Sequence, residues 1–480
     1  MTGPLRIAAA LGVLVPLAAC VVGPDYHTPA VPAGAETPLV AFNPTVETPA
    51  EPSDDWWRLY NDPLLDKLVQ SAFAANYDLA AAEANLSASR AMLEYTRAAQ
   101  YPQTGIAASA VRGHDPITDE IEEIDRLPPK SIWLFDDILD VSYEIDLFGR
   151  VRRSIEASRA DAEAEAAARD SLKITVAAET TRAYAQICTL GERIAVARHS
   201  FEIVNHEEQI VDQRREAGAG SEFDVVRAQE LVAQAQAAIP PLLGLRRAAL
   251  FQLAALLGRP PSRAPAEVEA CAKAPQLTAL IPIGDGVGLL KRRPDVRQAD
   301  RQLAGAIARV GVATADLYPR ISLTGFYGGA AANFPDLFKE AGLAWGLGPS
   351  VQWSFPNQSG PRALVHRAEA NSTAALAEFD SVVLQALKET EQALANYSSE
   401  LDHRQALAIA QDEARRAFNL AQGQYLAGSI STIDLLSSEQ SLVASDATVA
   451  ESDAALAQDQ IAVFKALGGG WQNAPVAHKP

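Results

Sequence analysis

Few residues of this chain are arranged to do chemistry, and the clearest covalent role falls near its start. Cys20 follows Leu17-Ala18-Ala19 at the end of an apolar run, residues 5–19, that lies behind Arg6. The run has the length of a signal peptide and is too short, and too interrupted by Pro16, to span a bilayer as a helix. Its last residues resemble a bacterial lipobox, in which the cysteine thiol accepts a diacylglyceryl group and becomes the first mature residue. The alternative is an ordinary signal peptide with a cysteine after the cut. Small residues directly before Cys20, and no second long apolar segment after it, favour lipidation. Each buried CH₂ of an acyl chain contributes about 0.8 kcal/mol, so three chains hold a terminus firmly in a membrane. Val21 is not the aspartate associated with inner-membrane retention in enteric bacteria. Losing Arg6 with the signal peptide takes the formal charge from −19 to −20.

A second set of chemistry-bearing residues is a pair. Ala217-Gly218-Ala219-Gly220-Ser221-Glu222-Phe223-Asp224-Val225-Val226 aligns, at an offset of 210, with Ala427-Gly428-Ser429-Ile430-Ser431-Thr432-Ile433-Asp434-Leu435-Leu436. The shared pattern is A-G-x-x-S-x-x-D followed by two aliphatics. Gly218 and Gly428 suit the left-handed conformation that ends a helix. Ser221 and Ser431 stand where a hydroxyl caps the next helix, with Asp224 and Asp434 at its favourable N-terminal end. A turn accounts fully for the glycines and serines; for the two aspartates a further role stays open.

The remaining signals are weak. Gly284-Asp285-Gly286-Val287-Gly288 lacks the spacing and the preceding strand of a dinucleotide loop. His206-Glu207-Glu208-Gln209-Ile210 is not a two-histidine zinc motif, and His199 and His206 read as solvated helix positions. Cys188 and Cys271 either pair in an oxidising compartment or stay as buried thiols. Neither a nucleophile–base pattern nor a metal-ligand cluster emerges, so the sequence predicts no enzyme, no metal and no cofactor beyond the lipid on Cys20.

The elements that hold these residues follow from composition and repetition. Of 480 residues 91 are alanine and only 6% are aromatic, the mark of long, closely packed helices. The acidic balance argues against nucleic acid as a partner, since phosphate binding requires lysine and arginine to displace counterions. Asp78 precedes Tyr101-Pro102 as Asp295 precedes Tyr318-Pro319, an offset of 217. With the turn repeat this predicts two halves, each running helix, strand, turn, strand, long helix, tight turn, helix. Long helices are expected over 150–217 and 361–426, and Val225, Ala228, Val232, Ala235, Ile239 and Leu242 set a near-heptad seam in the helix after the first turn. Pro240-Pro241 should kink or interrupt that helix. Strand candidates are about 103–112, 132–147, 320–330 and 343–355, each near the length that crosses a bilayer when tilted. Four strands cannot close a barrel and no backbone edge may face lipid, so membrane-spanning strands would require several chains in one barrel. The expected organisation is a signal peptide (1–19), a proline-rich extended tether (20–63), two repeats (64–275 and 276–471) and a tail (472–480).

Ordered marks along the chain then resemble a known family. They are Cys20-Val-Val-Gly-Pro-Asp-Tyr26, Trp56-Trp57 before Asn61-Asp62-Pro63, Tyr143-Glu-Ile-Asp-Leu-Phe-Gly149, Arg292-Arg293-Pro294-Asp295, Leu317-Tyr-Pro-Arg-Ile-Ser-Leu-Thr-Gly325 and Ala466-Leu-Gly-Gly-Gly-Trp471. Over some 450 residues the chain is similar to the TolC-like outer-membrane factors of bacterial tripartite efflux systems, in their lipidated NodT-type branch. The resemblance implies a mainly α fold with a membrane β-barrel: a homotrimer whose protomers each supply four strands to a 12-stranded outer-membrane barrel, continued by a long periplasmic helical barrel. It implies a passive duct served by a periplasmic adaptor and an inner-membrane pump, often of proton-driven RND type. The two turns match the adaptor-facing tips, so Gly218, Ser221, Gly428 and Ser431 are the docking candidates. The family's closed periplasmic gate carries over to Asp434 and Tyr425, with Asp224 as a partner for Tyr425. The family's arginine two residues after the second tip glycine is Ile430 here, which removes any gate ion pair through that position. If three copies place Asp434 in a ring, like charges repel and the ring favours cations. The alternatives are a duct for type I protein secretion, and a lipid-anchored periplasmic helical scaffold with no pore, in which all four strands would be soluble hairpins.

Overall fold

A computed structural model of the chain describes residues 21–34, 39–41, 43, 45, 47–113, 131–277 and 280–469. Cys20, the loop 114–130 and the tail 472–480 lie outside them. The elements in chain order are α1 (Pro63–Ala75), α2 (Tyr77–Ala98), β1 (Gln103–Gly113), β2 (Ile132–Ile145), α3 (Arg150–Glu216), α4 (Glu222–Leu256), α5 (Gly286–Arg292), α6 (Pro294–Ala315), β3 (Arg320–Ala331), β4 (Leu343–Gln352), α7 (Ser359–Leu426) and α8 (Thr432–Ala466). The series α2-β1-β2-α3-α4 recurs as α6-β3-β4-α7-α8. The 67 residues of α3 rise about 100 Å at 1.5 Å per residue. The chain divides into two compact units, one of residues 1–29, 86–165 and 299–379 and the other of 30–85, 166–298 and 380–480, so each unit takes segments from both repeats.

The first unit contains an antiparallel sheet in the order β1-β2-β3-β4. Its register aligns Ile106, Leu139, Tyr327 and Trp345 in one row and Thr104, Val141, Gly325 and Leu347 in the next. Paired residues share a face, and alternate residues point to opposite faces. One face is therefore apolar over most of its length. The other presents Asp136, Asp140, Glu144, Ser142, Ser322 and Ser350 among small residues, with Val111, Ile132, Leu134, Ile138 and Phe326 as apolar exceptions. Among the described residues neither face is covered: Ile106 is 78% exposed and Trp345 71% on the apolar face, and Leu134 49% and Phe326 43% on the other. β4 stops at Gln352, short of the expected 355, because Arg320↔Gln352 is the last pair and the next residue back on β3 is Pro319, which has no N–H to donate. Trp353 instead donates its indole N–H to the Leu317 carbonyl at 3.1 Å.

The second unit is built round Trp56 and Trp57, both fully buried. Phe464 of α8 stacks on Trp56 at 4.8 Å between centroids, and Phe73 of α1 meets Trp57 edge-on at 5.7 Å. Ile187 of α3, Leu253 of α4 and Ile281 complete the same cluster. Asp62 caps α1, accepting from the N–H groups of Leu64 and Leu65, and Tyr184 donates to its other oxygen at 2.6 Å. Cys188 and Cys271 form a disulfide, which settles the alternatives left by the sequence. Closing a loop of 83 residues contributes roughly 4 kcal/mol in the chain-entropy account.

Two expectations need correction. The proline-rich segment is extended, yet it is no free tether. Glu391 accepts from the backbone N–H groups of Val40 and Ala41 at 2.7 and 2.8 Å, and Glu47–Thr48 pairs in parallel with Ile281–Pro282. Prolines leave few backbone donors, and those that remain find fixed partners. Nor do Pro240 and Pro241 interrupt α4, which runs unbroken from Glu222 to Leu256. They free the carbonyls of Gln236 and Ala237, and both residues are exposed, so water satisfies the lost bonds.

Candidate functional site

The two A-G-x-x-S-x-x-D segments fold into the same eight-residue device. At the end of α3, Gly218 takes φ +74° and donates to the Arg215 carbonyl, while Ala219 donates to that of Arg214. At the end of α7, Gly428 takes φ +75° and donates to Tyr425, while Ser429 donates to Gln424. These bonds, spanning three and five residues, are a Schellman motif that satisfies carbonyls a helix end leaves bare. The next helix starts at once. Ser221 and Ser431 accept from the N–H groups of Asp224 and Asp434, and each aspartate reaches back to the serine N–H at 3.2 Å. Each serine hydroxyl also donates to its aspartate, at 2.7 and 2.6 Å. Both turns are thus capping boxes. The Ser431 hydroxyl and then its backbone N–H hold the Asp434 carboxyl below the usual carboxylate range.

The surroundings of the two turns differ. Tyr425 is buried, and the Arg214 guanidinium lies 4.2 Å over its ring while Nη1 of Arg214 donates to the Tyr425 carbonyl at 3.1 Å. The Tyr425 hydroxyl accepts from Thr432 at 3.4 Å. Within the chain Asp224 bonds to Ser221. Ile430, where the family carries arginine, packs against a cluster of Phe418, Tyr425, Leu435 and Leu442. The cation at Tyr425 comes from α3 instead. Sequence reasoning missed Arg214, although it stands four residues before the first tip glycine, where the repeat offset of 210 sets it opposite Gln424.

The residues that follow Cys20 have fixed partners in the first unit. Val22 donates to the Phe148 carbonyl at 3.2 Å, and Arg153 donates to the Val22 and Gly23 carbonyls and to Asp25 Oδ1 at 2.6 Å. Tyr26 donates to Asp300 and lies under the Arg301 guanidinium. Gly23, with φ +90°, sits so near Gly311 that a Cβ on it would come within 2.4 Å of the Gly311 Cα. Arg153 lies in the first turn of α3, whose leading N–H groups on Val151 and Arg152 are capped by Asp146. The segment is thus clamped where β2 passes into α3.

The other ordered marks are structural. Arg292 and Arg293 donate to the carbonyls of Leu467 and Ala466, tying down the end of α8. Asp285 caps α5 through the Gly288 N–H at 2.6 Å, which accounts for the glycine-rich stretch. Among the described residues no group of three or more metal-ligating side chains occurs, and no helix is long and apolar enough to cross a membrane.

A sequence profile of outer membrane efflux proteins matches residues 68–259 and 287–469, one stretch per repeat. The pyoverdine export outer membrane protein OpmQ of Pseudomonas putida is 30% identical, with 96% of this chain and 97% of OpmQ aligned. Nodulation protein T of Rhizobium leguminosarum is 26% identical over 98% of this chain and 95% of its own length. Among solved structures, the outer-membrane channel OprN superposes with a TM-score of 0.87 at 34% identity, covering 94% of this chain and all of OprN. The chain belongs to the outer membrane efflux protein family, TolC-like channels of the bacterial outer membrane that extend into the periplasm.

Proposed function

We propose that the protein is the exit duct of a tripartite efflux system, working as a homotrimer that passes small molecules from an RND-type inner-membrane pump and a periplasmic adaptor across the outer membrane. The observation that carries this reading is the uncovered sheet. An open four-stranded sheet with one apolar face, one polar face and two free edges is stable in a bilayer only if other copies pair with those edges. Three copies give 12 strands, an apolar outside and a lumen lined by Asp136, Asp140 and Glu144. The duct needs no catalytic residue, metal or cofactor, because the pump supplies the energy.

The two turns are the proposed docking tips, through Gly218, Ser221, Gly428 and Ser431. Asp434 and Tyr425 are the proposed periplasmic gate, with Asp224 in the matching position of the first turn. Cys20 is the proposed lipid site. It precedes a clamped segment at the strand–helix junction, a suitable place for an acyl group to enter the inner leaflet of the outer membrane. Detergent-extracted protein should run as a heat-modifiable trimer and conduct in planar bilayers; a water-soluble, non-conducting monomer would sink the duct. Asp434→Ala should change conductance or cation selectivity, and unchanged currents would remove Asp434 from the gate. Cys20→Ser should abolish palmitate labelling.

A further inference from the structure

Behind the second turn lies a layer of buried polar residues that no contact of the turns explains. On α3 the stripe Val204, Glu207, Val211 is spaced three and four residues, and Glu207 is 1% exposed. On α8 the stripe Leu435, Glu439, Leu442 is spaced four and three, and Glu439 is fully buried. On α7 Gln422 stands between Phe418 and Tyr425 in the same rhythm and donates to Glu207 Oε1 at 2.6 Å. Each is a seam position that its flanking residues fill with apolar side chains. Both oxygens of Glu439 and Oε2 of Glu207 have no hydrogen-bond partner among the described residues. An unpaired buried carboxylate costs several kcal/mol and is rare unless the group is neutral or has a task.

The charges acting on Glu439 are quickly named. α3 presents the negative Glu207; α7 presents the uncharged Gln422; α4 packs through Val225, Ala228 and Leu231. Arg214, two turns along α3, is held by Tyr425. Burial, and next the charge of Glu207, push the Glu439 carboxyl up to about 8. A carboxyl raised in the folded state favours folding in acid, so the packing it allows is complete below its unfolded value and is lost as the pH rises through about 8.

We propose that Glu207, Gln422 and Glu439 form a proton-held latch: while the carboxylate pair keeps one proton, α3, α7 and α8 stay packed behind the second turn, and when it leaves, like charges buried together push that end apart. The carboxyl proton goes to solvent and returns from it, with no other reactant. The latch rests on the duct reading for its consequence, a periplasmic end that loosens in mild alkali, but not for its existence.

The test uses the full-length, lipid-bearing protein, with planar-bilayer conductance and amide hydrogen exchange of residues 203–211 and 435–442 followed from pH 6 to 9. Wild type should show a rise in both, beyond the intrinsic pH dependence of exchange, with a midpoint near pH 8. Glu439→Gln and Glu439→Leu should both lose the step and stay protected and poorly conducting throughout. Glu207→Gln removes the like charge that helps raise Glu439, so it should move the midpoint below pH 8 and shrink the step, with protection at pH 9 above that of wild type. A flat wild-type exchange profile, or a step that persists in Glu439→Gln, overturns the latch. So does removal of the step by calcium or magnesium alone in wild type, because the pair then holds a cation. Absence of conductance at every pH in every variant sinks the duct, while exchange still decides the latch.

Discussion

The first and second turns share a backbone and differ in what surrounds it. Both have a left-handed glycine, a Schellman end and a serine–aspartate box, with φ of +74° and +75° at the two glycines. At the repeat offset of 210, however, Val226 is 55% exposed while Leu436 is buried, and the exposed Gln229 corresponds to the buried Glu439. Arg215, exchanging ion pairs with Asp212 and Glu222 at the surface, corresponds to the buried Tyr425. Duplication thus preserved the local turn, whose geometry depends on four or five residues. It did not preserve the packing, because the helices against each turn come from elsewhere in the chain. Behind the first turn only Val225 of the two aliphatics is buried, whereas behind the second both Leu435 and Leu436 are.

The largest effect should come from that difference. Leu436→Ala should cost about 2–5 kcal/mol locally, whereas Val226→Ala at the matching place should stay within about 0.5 kcal/mol. Hydrogen exchange around each turn checks both, and equal losses would break the contrast. Next, Arg214→Ala removes a partly desolvated cation over an aromatic ring and should cost about 1–2 kcal/mol. It should speed exchange near Tyr425 and raise conductance, while Arg215→Ala should do neither. Smaller still, Ser221→Ala and Ser431→Ala should each cost about 1 kcal/mol, by similar amounts, since the capping geometry is shared. The smallest effect is on pH. The Asp434 carboxyl sits below its ordinary range, so its capping contribution is present above the unfolded value and is lost as the pH falls through the folded one. Acid should therefore loosen the first residues of α8, and Asp434→Asn should blunt that response. Glu439 predicts the opposite sign a turn and a half further on.

Much of the fold was legible in the sequence because it rests on short-range rules. Left-handed glycines, serine caps and alternating strands need only their neighbours, so the turns and the four strands emerge from pattern alone. The free tether was misread because prolines signal extension and say nothing about attachment; Glu391, some 350 residues away, supplies the contact. Of the kink or interruption expected at Pro240-Pro241, the interruption does not occur, because losing two donors matters less where water reaches the freed carbonyls. Arg214 escaped notice because a basic residue in a helix's last turn already has a local explanation in the helix dipole.

By itself the sequence determined the duplicated topology, the capped turns, the amphipathic strands and the family, all of which are written in ordered residues and their spacing. Only the tertiary structure decided that Cys188 joins Cys271, that Arg214 covers Tyr425, and that Glu207 and Glu439 are buried in one layer. Each of these is a meeting of residues far apart in the chain. Periodicity shows that a side chain faces a seam; which side chain faces it from the other helix depends on how the helices are laid together.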